Sequence, residues 1–137
     1  MKSIIDLQWV GKMAFETEVS GHKIRVDAAP ESGGENSGAR PKPLMLVALA
    51  GCTGMDVVSI LEKMRVKIDD LNIIVEGDMQ DEHPKYYNKM KVIYHFKGTD
   101  LPMEQLQKAV ALSEEKYCGV MALYKMAIPV EYEIRVN

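Results

Sequence analysis

The sequence predicts an α+β fold with an antiparallel sheet and a long buried helix, in the order βββ-α-ββ-α-α-β. Three observations predict it. Residues 12–28 alternate apolar and polar side chains about Ser20-Gly21, the pattern of half-buried strands joined by a hairpin turn. Residues 43–65, PLMLVALAGCTGMDVVSILEKMR, are apolar on most sides of a helix up to residue 61. Residues 87–98 and 129–136 alternate again, on either side of two more helical segments. Hairpins together with long apolar helices point to α+β.

Each element has its own signal. SIIDLQW (3–9) reads as a first strand ending on Trp9. KMAFETEV (12–19) puts Met13, Phe15, Thr17 and Val19 on one face, and HKIRVDA (22–28) puts Ile24 and Val26 opposite Lys23, Arg25 and Asp27. AAPESGGENSGARPKP (28–43) is rich in glycine, proline and polar residues, an exposed loop of a length that is often functional or mobile. Pro43 is preset for a first helical turn, and that helix is expected to reach about Arg65. LNIIVEGDMQ (71–80) and YNKMKVIYHFKG (87–98) are strands with their turn at DEHP, and the second lines up Met90, Val92, Tyr94 and Phe96. Thr99 or Asp100 is the expected cap of the next helix, with Pro102 in its first turn. Leu106, Ala109, Val110, Ser113 and Tyr117 recur at helical spacing until Gly119 breaks the pattern. VMALYKM reads as a short helix and PVEYEIRV as the last strand. One thin sheet cannot cover the long helix, so a second copy of the chain is expected on its other face.

A chain of 137 residues suits a single domain, 1–137, with a real core. A net charge of −3 with scattered Lys and Arg argues against a nucleic-acid partner. MKSIIDLQWV has too short an apolar segment for a secretory leader. The run Leu44–Ala50 falls short of the roughly 20 residues of a bilayer span, and Asp56 and Glu62 interrupt the apolar stretch beyond it. These features predict a cytoplasmic protein with no membrane contact. Cys52 and Cys118 lie in no C-x-x-C or C-x-x-H spacing, and His22, His83 and His95 are far from them in sequence, so neither metal nor cofactor is expected.

On a helix, Cys52 shares a face with Ala48, Leu49, Met55 and Asp56, and Ser59 lies one turn on. Cys52, Asp56 and Ser59 thus form a thin polar stripe on an apolar rod. Gly51 and Gly54 each cost roughly 1 kcal/mol of helix propensity against alanine, which close approach of another backbone would offset. Two roles stay open for Cys52, a small buried hydrophobe and a reactive thiol. The helix start lies about 13 Å away at 1.5 Å per residue, beyond reach of its dipole. Apolar surroundings and a charged Asp56 both disfavour a thiolate, so a reactive Cys52 needs a cation, most simply an arginine from a loop. Cys118 falls where one helix ends and the next begins. A helix start favours the thiolate there, and a small buried residue at a helix junction is the alternative.

RPKPLMLVALAGCTGMDVVSILEKMR (40–65) resembles the central-helix motif of the OsmC/Ohr family, the osmotically inducible and organic hydroperoxide resistance proteins. SEEKYCGV resembles the segment carrying that family's second cysteine, and DEHPKYY its linker between the middle strands. The element order matches over essentially the whole chain, closest to the shorter OsmC-like subgroup. The resemblance implies an intertwined homodimer with central helices packed back to back. It implies that Cys52 is the peroxidatic thiol, that Cys118 condenses with it to a disulfide, and that a dithiol, lipoyl in the Ohr branch, reduces the enzyme. Peroxidase members carry a glutamate nine or ten residues before the first cysteine, paired with an arginine over the thiolate. Here those positions are Pro43 and Lys42. Arg40 is then the candidate cation and Arg25 a weaker one. Asp56, or with less support Glu115, stands in for the missing acid. The expected function is a thiol peroxidase acting on organic hydroperoxides. The alternatives are a non-catalytic dimer binding a small hydrophobic ligand and a purely structural two-cysteine domain.

Overall fold

The computed structural model describes residues 1–137 and divides into two compact units, Met1–Met45 and Leu46–Asn137. The first unit is a meander of β1 (Gln8–Gly11), β2 (Ala14–Val19) and β3 (His22–Val26), antiparallel in that order. Ser20 and Gly21 both take positive φ, 52° and 82°, as a twisted two-residue hairpin turn requires. The first strand starts and ends later than the sequence predicts, at Gln8 and Gly11 in place of Ser3 and Trp9. The Thr17 hydroxyl, not a ladder amide, donates to the Asp6 carbonyl at 2.8 Å, and residues 3–7 stay outside the sheet.

The loop after β3 has more internal structure than its composition suggests. Asp27, buried, accepts the N–H groups of Ala28, Glu35 and Ser37 and the Ser37 hydroxyl at 2.6–3.1 Å. These bonds, the Ser37 hydroxyl's first, hold its carboxyl far below the usual range. Gly34 packs against the backbone of Ala28, where a Cβ would collide.

The second unit carries most of helix α1 (Pro43–Lys63), then β4 (Asp70–Met79), β5 (Tyr87–Lys97), α2 (Met103–Leu112), α3 (Gly119–Lys125) and β6 (Val130–Val136). β4 and β5 pair antiparallel over their whole length. β6 departs from the antiparallel expectation: it lies parallel to β5, because the intervening helices return the chain to the same end of the sheet. Leu49, Val57 and Leu61 of α1 pack with Val92, Tyr94 and Phe96 of β5 and Leu106 and Val110 of α2 into one core.

Three helix boundaries differ in detail from the sequence reading. α1 stops at Lys63. Neither Thr99 nor Asp100 caps α2; Pro102 holds that position, since the residue before a proline is kept out of the helical region. The break after α2 falls at Cys118, not Gly119. A wide π-type turn over Ser113–Tyr117 closes with the Cys118 N–H on the Ser113 carbonyl at 2.9 Å, and Gly119 opens α3.

Within one chain α1 is covered on one side only. Leu49, Thr53, Val57 and Leu61 face inward at 0–1% exposure, whereas Val47, Met55 and Val58 are 62%, 77% and 49% exposed. By length and mean hydropathy, 21 residues and 2.0, α1 also matches a bilayer span, more than the run Leu44–Ala50 alone suggests. Its inward row nonetheless packs as that of a core helix.

Candidate functional site

α1 carries Cys52, half-buried, one turn before Asp56. Cys118 is the residue from which α3 starts, and its Sγ accepts the Met121 N–H at 3.3 Å. The two free thiol sulfurs and an Asp56 carboxylate oxygen all lie within 4.8 Å of one another. Helical spacing joins Cys52 to Asp56. The π-type turn, with its extra residue, brings Cys118 to them, which no local pattern in the sequence foretells.

Cys118 is 3% exposed. Burial, then its hydrogen bond with Cys52, pushes its thiol up to about 12, and the Met121 N–H offsets only part of this. The sequence reading expected the helix start to favour a thiolate here. Burial outweighs it, and Cys118 rests as a protonated thiol.

Behind the thiols runs a buried polar chain. Ser113 donates to Asp56 Oδ2 at 2.9 Å, and its Oγ lies 2.8 Å from Thr53 Oγ1. Thr53 Oγ1 lies 2.6 Å from the Tyr94 hydroxyl, which meets Glu114 Oε1 at 2.7 Å. Lys125 Nζ stands 3.4 Å from Glu114 Oε2 and also donates to the Glu114 carbonyl. Burial raises the Glu114 carboxyl above its ordinary value although Tyr94 and Lys125 pull it down, and burial likewise raises the Tyr94 phenol. Apart from Asp56, sequence reasoning gave none of these residues a role at the site. The available signal was a set of hydroxyls, Thr53, Tyr94 and Ser113, standing at positions of otherwise apolar inward rows.

The candidate cations sit in the first unit with local partners. Arg40 Nη1 donates to Asn36 Oδ1 at 2.9 Å and to the Gly38 carbonyl at 3.1 Å. Arg25 pairs with Glu16 at 3.1 Å and donates to Ser37 Oγ. Glu115 is exposed, and the first turn of α1 holds no acid. A cleft of about 450 Å³ opens beside Asp56, Ser59 and Ile60 and is edged by Lys63 and Lys108. Two thiols and a carboxylate within 4.8 Å are also a donor set that could hold a metal ion, whose binding would require the Cys118 thiol to give up its proton.

A family model for OsmC-like proteins matches residues 34–133. The chain belongs to the OsmC-like family. Protein YhfA of Escherichia coli K12 is 31% identical over 134 residues, 95% of each chain. The solved structure of a hypothetical protein from Aquifex aeolicus VF5 superposes with a TM-score of 0.83 at 30% identity, over 100% of this chain and 99% of its own. An organic hydroperoxide resistance protein from Legionella pneumophila shares the fold, with a TM-score of 0.67 at 18% identity over 97% of both chains. The OsmC-like fold expected from the central-helix motif is therefore that of this chain.

Proposed function

We propose that this OsmC-like chain is a thiol peroxidase that reduces organic hydroperoxides through Cys52 and Cys118. The observation that carries the reading is the approach of the two sulfurs, from separate elements, to within 4.8 Å of each other. The Cys52 thiolate attacks one oxygen of the hydroperoxide. The S–O bond forms, the O–O bond breaks, and the alkoxide leaves and takes a proton, giving a Cys52 sulfenic acid and an alcohol. Cys118 sulfur then attacks Cys52 sulfur, and the hydroxyl departs as water with the Cys118 proton. A dithiol, lipoyl in the related Ohr proteins, reduces the disulfide. Arg40, or Arg25, supplies the cation for the thiolate. The uncovered α1 face fits a second copy of the chain, so the working unit is a homodimer, and a cytoplasmic setting suits free thiols.

A second reading, a non-catalytic dimer holding a small hydrophobic ligand, is favoured by one observation. Lys42 and Pro43 stand where peroxidases of the family carry glutamate, and no acid replaces it in the first turn of α1. One experiment separates the two. Reduced protein treated with an organic hydroperoxide should lose two hydrogens by mass and link the peptides of Cys52 and Cys118. Cys118→Ser should stop at the sulfenic acid or go on to higher oxides. Peroxide consumption no faster than in Cys52→Ser would favour the ligand-binding reading.

A further inference from the structure

The chain Glu114–Tyr94–Thr53–Ser113–Asp56 has four oxygen–oxygen links of 2.6–2.9 Å and only three hydroxyl protons to fill them. If both carboxyls are ionised, Tyr94 donates to Glu114 and Ser113 to Asp56. The single Thr53 proton can then serve only one of its two neighbours, leaving a bare contact between lone pairs in a site where Thr53, Tyr94 and Ser113 are fully buried. One added proton removes the defect. On Glu114 it orients every donor toward Asp56; on Asp56 it orients every donor toward Glu114, whose charge then faces Lys125 at 3.4 Å. Both arrangements fill all four links.

We propose that Glu114 and Asp56 share one proton through this chain, and that the three hydroxyls reverse together to place it beside the thiols. Burial, which raises the Glu114 carboxyl above its ordinary value, favours the protonated form at that end. The groups facing the two ends are few. Around Glu114 they are Tyr94 from β5, Lys125 from α3 and the adjacent Glu115. Around Asp56 they are the two thiols, Ser113, and Lys63, Lys108 and Tyr117 of the cleft.

The use of this proton in turnover rests on the peroxidase reading, whereas the proton count does not. As Cys52 sulfur attacks and the O–O bond breaks, Asp56 gives its proton to the departing alkoxide, and both carboxyls are left ionised. When the dithiol later reduces the disulfide, it supplies a hydrogen to each cysteine. Cys118 keeps its proton, and that of Cys52 passes to Asp56, restoring the thiolate and the shared proton. Asp56 would act on the reacting atoms; Ser113, Thr53, Tyr94 and Glu114 are relay residues that act through it.

The test uses the reduced full chain and needs no peroxide. Infrared spectra of wild type near pH 7 should show the carbonyl stretch of a protonated carboxyl, absent in Glu114→Gln. The glutamine keeps its oxygen toward Lys125 and its NH2 toward Tyr94, which locks every donor toward a charged Asp56. The pH midpoint of Cys52 alkylation should therefore rise by about one unit, the low end of shifts caused by a neighbouring like charge. Simple removal of a negative charge would move it down. In a Thr53→Val background, or Ser113→Ala if that variant folds better, the relay is cut and Glu114→Gln should leave the midpoint where it was. A wild type without the protonated-carboxyl band, a midpoint that stays or falls in Glu114→Gln, or an equal rise in the cut background would each overturn the relay. None of these readouts requires peroxidase activity, so a protein that consumes no peroxide would refute that reading alone.

Discussion

Gly51 offers a clean test of what covers the open face of α1. In the single chain a Cβ built there meets nothing within 4 Å, and the helix around it exposes Val47, Met55 and Val58. Were α1 bare, Gly51→Leu would recover about 1 kcal/mol of helix propensity. That would raise the melting temperature by about 4 °C for a domain of this size. If a second copy packs its own α1 against this face, the added side chain instead enters a tight contact, and overpacking costs about 1–3 kcal/mol. The two cases differ in sign. Sedimentation at micromolar concentration, with urea unfolding measured at several protein concentrations, reads both. The expected result is a midpoint that rises with concentration in wild type and a weaker dimer in Gly51→Leu. A variant more stable than wild type, with an unchanged oligomeric state, would refute the dimer reasoning. Gly54 is a poorer probe, because its Cβ would stand 2.8 Å from Ile73 Cδ1 of the same chain, so the variant would also strain the protomer.

The site itself yields further outcomes. At pH 7 a thiol held up to about 12 carries about 1000-fold less thiolate than one at the ordinary 9.0, so brief iodoacetamide treatment of native reduced protein should label Cys52 and leave Cys118 untouched, as peptide mass mapping would show. Glu114, raised above its ordinary 4.5, contributes stability that is complete below that pH and lost as pH climbs through its folded value. Glu114→Gln cannot ionise, so its stability relative to wild type should improve as pH rises from about 4.5, measured by urea unfolding across pH; a flat difference would contradict the raised carboxyl. If Arg40 is the activating cation, Arg40→Ala should slow Cys52 alkylation at neutral pH while Lys42→Glu speeds it, and an unchanged rate in Arg40→Ala would pass the role to Arg25 or to no cation.

The fold was largely legible because its signals are periodic. Met90, Val92, Tyr94 and Phe96 alternate and are buried on one face of β5, and the apolar run from Pro43 forms one helix. The features that escaped depend on single non-periodic contacts. At the late start of the first strand a single hydroxyl contact, Thr17 on Asp6, stands where the ladder was expected. The loop after β3 reads as slack by composition but is organised by Asp27, one carboxylate with four donors. At the site, the pairing of Cys52 with Asp56 came from helical spacing. The hydroxyl chain did not, since Thr53, Tyr94 and Ser113 converge from three elements and a sequence gives no distance between them.

On the peroxidase reading, the two thiols are unequal in a way that orders the chemistry. Cys52 is the more exposed sulfur and Cys118 is nearly sealed, so peroxide meets Cys52 first. The same burial creates a difficulty at the end of the cycle. A dithiol reaching the disulfide from solvent attacks Cys52, and Cys118 must leave; a thiolate whose parent thiol is held up to about 12 is a poor leaving group. Protonation as the S–S bond breaks removes the difficulty: Asp56, within 4.8 Å of both sulfurs and left ionised by the peroxide step, takes the proton of the attacking dithiol and hands it to Cys118. Asp56→Asn should therefore slow reduction of the disulfide by a dithiol more than it slows its formation, because formation needs no proton donated to Cys118. Single-turnover measurements of sulfenic acid closure and of disulfide reduction resolve them, and equal slowing of these two steps would refute the part of Asp56 in protonating Cys118.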